Sequence, residues 1–262
     1  MGFSEILLKM LNRLVSFVVV VILCIAGAYS VYALWDNEQV YSQAENVMED
    51  MLQLKPEIDE EEPEEGVSFS DLLAINKDVR AWVALDNTKV NYPVLQGETN
   101  LTYINTDIYG EFALAGSIYL DSRNSPDFSD RYSILYGHNM DGGRMFGDVT
   151  KYKESEFFEE NRTGMIMTPT EVYSLEIYAC VVVNASDKLL FDPKLKASKL
   201  NSFLDYVEDR AMFCNADTAA RIRELGKKAQ ILAFSTCSSE FTDARTVLLA
   251  AMIPYTAEET AE

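Results

Sequence analysis

One uncharged apolar run constrains this chain more than any other feature. Residues 14–34 read LVSFVVVVILCIAGAYSVYAL and contain no Asp, Glu, Lys or Arg. A helix of about 21 residues, rising about 1.5 Å per residue, spans the ~30 Å hydrocarbon core of a bilayer. The run therefore predicts a transmembrane anchor, with the rest of the chain folding outside the hydrocarbon core.

The charges that flank the run predict its orientation. Lys9 and Arg13 precede it, whereas Asp36 and Glu38 follow it. Because basic residues favour the cytoplasmic side, we expect a single-pass protein of the cell membrane with its N-terminus in the cytoplasm and the longer part outside. A cleaved signal peptide is the alternative, since residues 26–28 (AGA) resemble a cleavage site. The anchor is favoured because the run exceeds the about 7–15 apolar residues of a signal peptide.

The segment after the run predicts a spacer. Residues 36–54 place apolar side chains at helical spacing among polar ones, which indicates an amphipathic juxtamembrane helix. Residues 56–66 (PEIDEEEPEEG) are too charged to pack and indicate an extended linker. The predicted division is a cytoplasmic segment 1–13, an anchor 14–34, a juxtamembrane helix and acidic linker 35–66, a folded extracytoplasmic domain 67–256 and a tail 257–262.

The charge balance restricts the partners. The chain has 22 basic and 42 acidic residues, a net charge of −20. Such a surface cannot neutralise a phosphate backbone, so we expect no nucleic-acid partner.

Short β-branched and aromatic runs dominate the region after residue 67. They occur too often for an α/β fold and favour a mainly β domain, either a closed barrel or a sandwich. The strand candidates are residues 81–85, 89–95, 116–120, 132–136, 164–168, 172–183, 230–235 and 245–253.

Two helices are predicted within this domain. A capping box from Ser68 to Asp71 is expected to open a short helix over residues 68–76. Residues 198–213 carry an apolar stripe at helical spacing, which predicts one longer helix just before the strand at 230–235.

Three residues suggest thiol chemistry. Cys237 follows one predicted strand and Arg245 opens the next, so an antiparallel pairing of the two strands would bring the guanidinium beside the thiol. An unperturbed thiol, with a pKa of about 8.5, is largely protonated at neutral pH and needs a base or a cation nearby. His138 is the only histidine in the chain and also follows a predicted strand.

At these residues the chain resembles the sortase family, and within it class B. The matching stretches are residues 92–97 (YPVLQG), 116–121 (GSIYLD), 134–146, which include GHNM, and 236–245, which run from Thr236-Cys237 to Arg245. The resemblance implies a closed eight-stranded sortase-type β-barrel with N-terminal helices and a helix inserted before the nucleophile strand.

The resemblance also implies a cysteine transpeptidase. Cys237 would attack the carbonyl of the Thr in a C-terminal sorting motif and form a thioacyl enzyme. His138 would act as general acid and base, and Arg245 would stabilise the oxyanion. Secreted proteins with a sorting signal would be the donors. The acceptor would be an amine of a peptidoglycan precursor or a pilin lysine. No cofactor and no metal are expected.

Substrate contacts are carried over from the resemblance to five further residues. They are Asn100, Ile104, Tyr136, Ser235 and Thr236. The usual Thr-Leu-x-Thr-Cys pattern of the family reads AFSTC at residues 233–237, so its first two positions differ. This difference bears on substrate preference, since the residues expected to carry the chemistry are all present.

The remaining cysteines leave some alternatives open. Cys24 lies in the apolar run, and with three cysteines outside it a complete set of disulfides is excluded, although a Cys180–Cys214 bridge is compatible with the sequence. A hydrolytic cysteine protease and a membrane-tethered binding module with an inert Cys237 are the rival functions.

Overall fold

The computed structural model describes residues 2–57 and 68–255. The chain divides into two units, Met1–Gln43 and Ala44–Glu262. The acidic linker, the predicted domain start near residue 67 and the C-terminal tail lie largely or wholly outside the described residues.

The first unit consists of helix α1 (Phe3–Leu52) up to residue 43. Its apolar side chains between Phe3 and Trp35 are exposed, and it is long and apolar enough to cross a membrane. The last residues of α1, 44–52, belong to the second unit, where Met51 is buried.

The second unit is built on a closed β-barrel. The strands are β1 (Val79–Leu85), β2 (Asn91–Leu95), β3 (Ile118–Leu120), β4 (Tyr132–Tyr136), β5 (Thr163–Met167), β6 (Val172–Asn184), β7 (Ala211–Cys214), β8 (Ile231–Cys237) and β9 (Ala244–Pro254). Eight of them pair in the order β5-β1-β2-β3-β4-β8-β9-β6, and β6 pairs back with β5, which confirms the predicted eight-stranded barrel. The ninth strand, β7, pairs with the second half of β6 on the edge opposite β9, beyond the part that pairs with β5.

Strand alternation sorts the apolar side chains into two cores. On β8, Phe234 faces the barrel interior, where it packs with Leu135 and Leu248. Its neighbour Ala233 faces the other side, in a second core beneath the helices that follow β6. Because successive strand residues point to opposite faces, a strand buried on both sides has a nearly continuous apolar sequence, as β8 does.

The helices of the barrel unit are α2 (Ser70–Ile75), α3 (Ser155–Glu160), α4 (Leu200–Arg210) and α5 (Ala216–Leu225). The single helix predicted over residues 198–213 is too long: α4 ends at Arg210 and the chain continues into β7. The open edge of β6 takes up the backbone hydrogen bonds of β7, so tertiary pairing overrides the helical pattern. Helix α5, whose first turn is capped by the side chain of Asn215, is not among the helices that the sequence predicts.

The predicted capping box is wrong in detail. Helix α2 begins at Ser70, and no side chain caps it. Ser68 instead shares a 3.0 Å hydrogen bond between its Oγ and that of Ser70. The N-cap position falls on Phe69, which is buried in a third core with Met51 and Trp82, so apolar packing rather than capping sets this end of the helix.

Cys180 and Cys214 do not form a disulfide. In the β6–β7 ladder Cys180 pairs with Phe213 and packs in the barrel core, whereas Cys214 pairs with Ala179. Neighbouring residues on a strand face opposite sides, so the two thiols lie on different faces of the sheet.

Met51 provides a test of whether the end of α1 is part of the barrel unit. Its side chain is 1% exposed, whereas that of Leu52 is 41% exposed. We expect Met51→Ala to lower the free energy of unfolding by about 2–4 kcal/mol through loss of buried apolar contact, and Leu52→Ala to change it by less than about 0.5 kcal/mol. Chemical denaturation of the detergent-solubilised protein, followed by tryptophan fluorescence, measures both; equal losses would contradict the packing described.

Candidate active site

Two parallel strands bring His138 and Cys237 to one end of the barrel. Strand β4 pairs with β8 in register, so Tyr136 lies opposite Ser235. Beyond this pair the Gly137 N–H donates to the Ser235 carbonyl at 3.2 Å. The Thr236 hydroxyl donates to the Gly137 carbonyl at 2.8 Å. His138 directly follows Gly137, and Cys237 directly follows Thr236, so the two residues lie close to the ends of the paired strands.

Arg245 lies directly opposite Cys237. Strands β8 and β9 are antiparallel, and the last pair of their ladder joins these two residues, as the sequence predicts. Opposite residues in such a ladder have Cα atoms about 4.5–5.5 Å apart and place their side chains on the same face. At the start of the connection between β8 and β9, the Ser238 N–H donates to the Ala244 carbonyl at 3.0 Å.

The imidazole of His138 is held by a main-chain acceptor. Its Nε2 donates to the Ile104 carbonyl at 2.8 Å, and the side chain is half-buried. The residue before it must be glycine, because a Cβ on Gly137 would lie 2.5 Å from Ile118 Cδ1 and 2.7 Å from Phe146 Cγ. This close approach draws the start of the His138 loop onto the barrel.

A cleft of about 310 Å³ contains all eight site residues that the sequence predicts. Beside Asn100, Ile104, Tyr136, His138, Ser235, Thr236, Cys237 and Arg245, its walls include Leu101, Tyr119, Gly137, Ala185 and Phe191. Tyr119 could have been found from its place in the GSIYLD block, since it pairs with Tyr136 across β3 and β4. Phe191 and Ala185 reach the cleft from the connection after β6. No local sequence pattern in this connection predicts that it lines the cleft.

The predicted contact residues differ in what they offer a ligand. Thr236 is buried and its hydroxyl already donates to Gly137. Ser235 is 2% exposed, yet its Oγ has no hydrogen-bond partner among the described residues. A buried hydroxyl without a partner is costly, so Ser235 is the group most suited to accept or donate a bond to a bound peptide.

Tyr119 lies within the electrostatic field of the site. Burial raises the pKa of its phenol, as do the charges of Asp121 and Cys237, and although Arg245 lowers it the net pKa is about 12. Tyr119 therefore stays neutral at physiological pH and forms a wall of the cleft, with its ring centroid 5.4 Å from that of Tyr136.

The thiols differ sharply in environment. Cys237 is exposed in the cleft, whereas burial raises the pKa of the Cys180 thiol to about 12. Desolvation also raises the pKa of Cys214, which lies outside the cleft. Since the thiolate is the nucleophile, Cys237 is the thiol placed for chemistry.

Comparison with known proteins identifies the family of this chain. No protein-family model matches the chain. Over 171 residues it is 31% identical to Sortase B of Listeria monocytogenes, covering 65% of this chain and 67% of that protein. Over 248 residues it is 27% identical to Sortase B of Staphylococcus aureus, covering 94% of this chain and 98% of that protein.

Solved structures agree. A Streptococcus pyogenes class B sortase involved in pilus biogenesis is 34% identical, with a TM-score of 0.62, covering 71% of this chain and 97% of that one. A Staphylococcus aureus sortase B–substrate complex is 28% identical, with a TM-score of 0.64, covering 72% and 85%. The chain belongs to the sortase family, in class B. The protein is accordingly a cysteine transpeptidase.

Thiol labelling tests the ranking of the cysteines. In a Cys24→Ala background, we expect a maleimide probe at neutral pH to modify Cys237 at least about 100-fold faster than Cys180, because a thiol with a pKa raised to about 12 is almost wholly protonated. Cys214 should also react more slowly than Cys237, since its pKa is raised. Mass spectrometry of tryptic peptides over time measures the rates. A fast phase that survives Cys237→Ala would contradict this ranking.

Proposed function

We propose that this class B sortase cleaves a C-terminal sorting motif of secreted surface proteins after Thr and transfers the acyl group to an amine of the cell wall cross-bridge. One observation carries the proposal: Cys237 and Arg245 are cross-strand partners at the same barrel edge as the chain's only histidine, within one open cleft. The similarity to a sortase B–substrate complex supports a peptide substrate.

In the first step, the Cys237 thiolate attacks the carbonyl carbon of the Thr. Its C–S bond forms as the Thr–amine C–N bond breaks, and the His138 imidazolium protonates the departing amine. The His138 Nε2–H is held by the Ile104 carbonyl, so Nδ1 is the nitrogen we assign to the transferred proton.

In the second step, an amine attacks the thioester. His138 accepts the proton of the incoming amine, the C–S bond breaks, and the Cys237 thiolate is regenerated. The covalent intermediate divides the reaction, so an amine can take the place of water as the second nucleophile. The fate of the acyl group therefore depends on which nucleophile reaches the cleft.

Arg245 stabilises the negative charge that develops on the carbonyl oxygen. Its guanidinium is opposite Cys237 and presents several donors in a rigid plane, a geometry suited to an oxyanion and to peptide carbonyls. Asn100, Ile104, Tyr136 and Ser235 would contact the bound motif from the cleft walls. The main chain of Ile104 already serves His138, so its contact with the motif would be apolar.

The apolar helix gives the enzyme its place in the cell. We propose that residues 14–34 anchor it in the membrane, with residues 1–13 cytoplasmic and the catalytic domain, residues 67–256, extracytoplasmic. The 27% identity to Sortase B of Staphylococcus aureus extends over 94% of this chain and thus includes most of this helix. Such an anchor would hold the cleft where exported substrates emerge.

Pilus assembly is the second candidate function. The Streptococcus pyogenes class B sortase that is 34% identical is involved in pilus biogenesis. In this alternative, a pilin lysine replaces the cross-bridge amine as the second nucleophile, while the role of Cys237 in the acylation step is the same.

Amine capture tests the transpeptidase proposal against hydrolysis. With labelled peptides that carry sorting motifs, we expect added triglycine to divert product from the free acid to the glycyl adduct, because both nucleophiles compete for one thioester. Mass spectrometry and chromatography quantify the two products. Cys237→Ala should abolish both and Cys214→Ala neither; hydrolysis that triglycine never diverts would leave a cysteine protease.

Substitutions at His138 and Arg245 test their roles. We expect His138→Ala to lower kcat/KM by about 10²–10⁴-fold, the usual effect of losing general acid–base catalysis. Arg245→Lys keeps the charge but not the planar donors and should cost about 10²–10³-fold. The control is Arg210→Lys, which replaces an arginine outside the cleft that pairs with Asp209. Near-normal turnover of His138→Ala would end this mechanism, since the chain holds no second histidine.

A further inference from the structure

A buried carboxylate lies beneath the cleft. Asp121 follows β3 directly, is 0% exposed and does not line the cleft itself. Its main-chain N–H donates to the Ile134 carbonyl at 2.9 Å, which fixes its backbone against β4. The backbone from which the Asp121 side chain projects is therefore fixed by the barrel.

Five donors from three residues surround the Asp121 carboxylate. Arg123 supplies its main-chain N–H and Nε to Oδ1, both at 2.9 Å, and a terminal guanidinium nitrogen to Oδ2 at 2.7 Å. Asn100 Nδ2 and the Tyr136 hydroxyl donate to Oδ2 at 3.0 and 2.9 Å. Two of the three partners are thus residues of the cleft wall.

The hydrogen bonds keep this carboxylate ionised. Burial by itself raises the pKa of Asp121, but the bonds from Arg123, Asn100 and Tyr136 outweigh it, and the net pKa lies below the ordinary value. The charge is therefore present throughout the physiological pH range. Hydrogen bonds to an ionised acceptor are stronger than neutral ones, so the two cleft residues are held firmly.

Asn100 and Tyr136 come from different parts of the chain, the connection between β2 and β3 and the end of β4. The Asn100 Oδ1 accepts from the Ser122 N–H at 2.7 Å, so its amide is fixed at both ends and Nδ2 is directed to Asp121. The Tyr136 ring is fixed by its hydroxyl and by Tyr119. One carboxylate oxygen therefore sets the distance between two walls of the cleft.

We propose that Asp121 is a positioning residue that holds Asn100 and Tyr136 in the geometry that binds the sorting motif, and so sets the affinity for the peptide rather than the rate of the chemistry. The inference rests on the proposed function for the identity of the peptide. Asp121 acts through its two partners, since it has no surface in the cleft.

The decisive variant is Asp121→Asn, which keeps the shape but removes the charge and one acceptor. Asp107→Asn is the matched control: Asp107 is 4% exposed, lies in the same connection between β2 and β3, and accepts from the main-chain N–H groups of Tyr109 and Glu111 at 2.9 Å each. It does not contribute to the cleft. Both variants remove a buried, hydrogen-bonded carboxylate, so only the positioning role separates them.

Two measurements separate positioning from general damage. In the inactive Cys237→Ala background, fluorescence anisotropy with a panel of labelled sorting peptides gives Kd without turnover. We expect Asp121→Asn to raise Kd, and KM in the active enzyme, about tenfold, a usual effect of losing one charge-assisted hydrogen bond. We expect kcat and the maleimide labelling rate of Cys237 to change less than about threefold, and Asp107→Asn to leave Kd unaltered.

The outcomes distinguish this inference from the proposed function. Peptide binding that is unchanged by Asp121→Asn, or weakened equally by Asp107→Asn, overturns the positioning role. If peptides bind but triglycine never enters product, the transpeptidase proposal fails while Kd still decides the role of Asp121. If no sorting peptide binds, both fail. Should Asp121→Asn not fold, Tyr136→Phe removes the hydroxyl that donates to Asp121 and is expected to raise Kd about threefold; an unchanged Kd would then overturn the positioning role.

Discussion

The pairing of β8 with β4 on one side and β9 on the other is the constraint on which the rest of the structure depends. The parallel ladder to β4 ends at Tyr136 and Ser235, and the antiparallel ladder to β9 ends at Cys237 and Arg245. Both ladders end at the same end of the barrel. Their register is fixed, because a slip of one residue would move every side chain of β8 to the opposite face of the sheet. The backbones of Cys237, His138 and Arg245 are therefore positioned by the sheet.

Above this framework the site is polar and incompletely paired. The Ser235 hydroxyl has no partner among the described residues, whereas the Asp121 carboxylate has five donors. Ser235 lines the cleft, whereas Asp121 lies outside its lining and bonds to two residues that do line it, Asn100 and Tyr136. The thiols differ in the same way: Cys237 is exposed, whereas Cys180 is buried and its pKa is raised to about 12.

The end of α1 belongs to the barrel unit. Residues 44–52 bring Met51 into the core with Trp82. They also place Glu45 where its Oε1 accepts from Arg144 Nε at 2.8 Å, in the loop that follows His138. An ion pair of this kind contributes little by itself, but the buried Met51 makes the contact part of the fold. Residues 44–52 thus contribute to the core of the barrel unit.

Much of this protein was readable from its sequence. Local patterns located all eight barrel strands, since alternation and β-branched runs reflect burial directly, and the spacing of Cys237 and Arg245 predicted their pairing. Family blocks around His138 and Cys237 indicated the residues that line the cleft. These features are local in the chain, which is why the sequence by itself determined them.

Only the tertiary structure decided that residues 211–214 form β7 instead of extending a helix, because their backbone groups form hydrogen bonds with an open edge of β6. It also decided that Phe191 reaches the cleft and that Asp121 joins Asn100 to Tyr136. Contacts between segments distant in sequence depend on how the barrel closes, so no local sequence pattern predicts them.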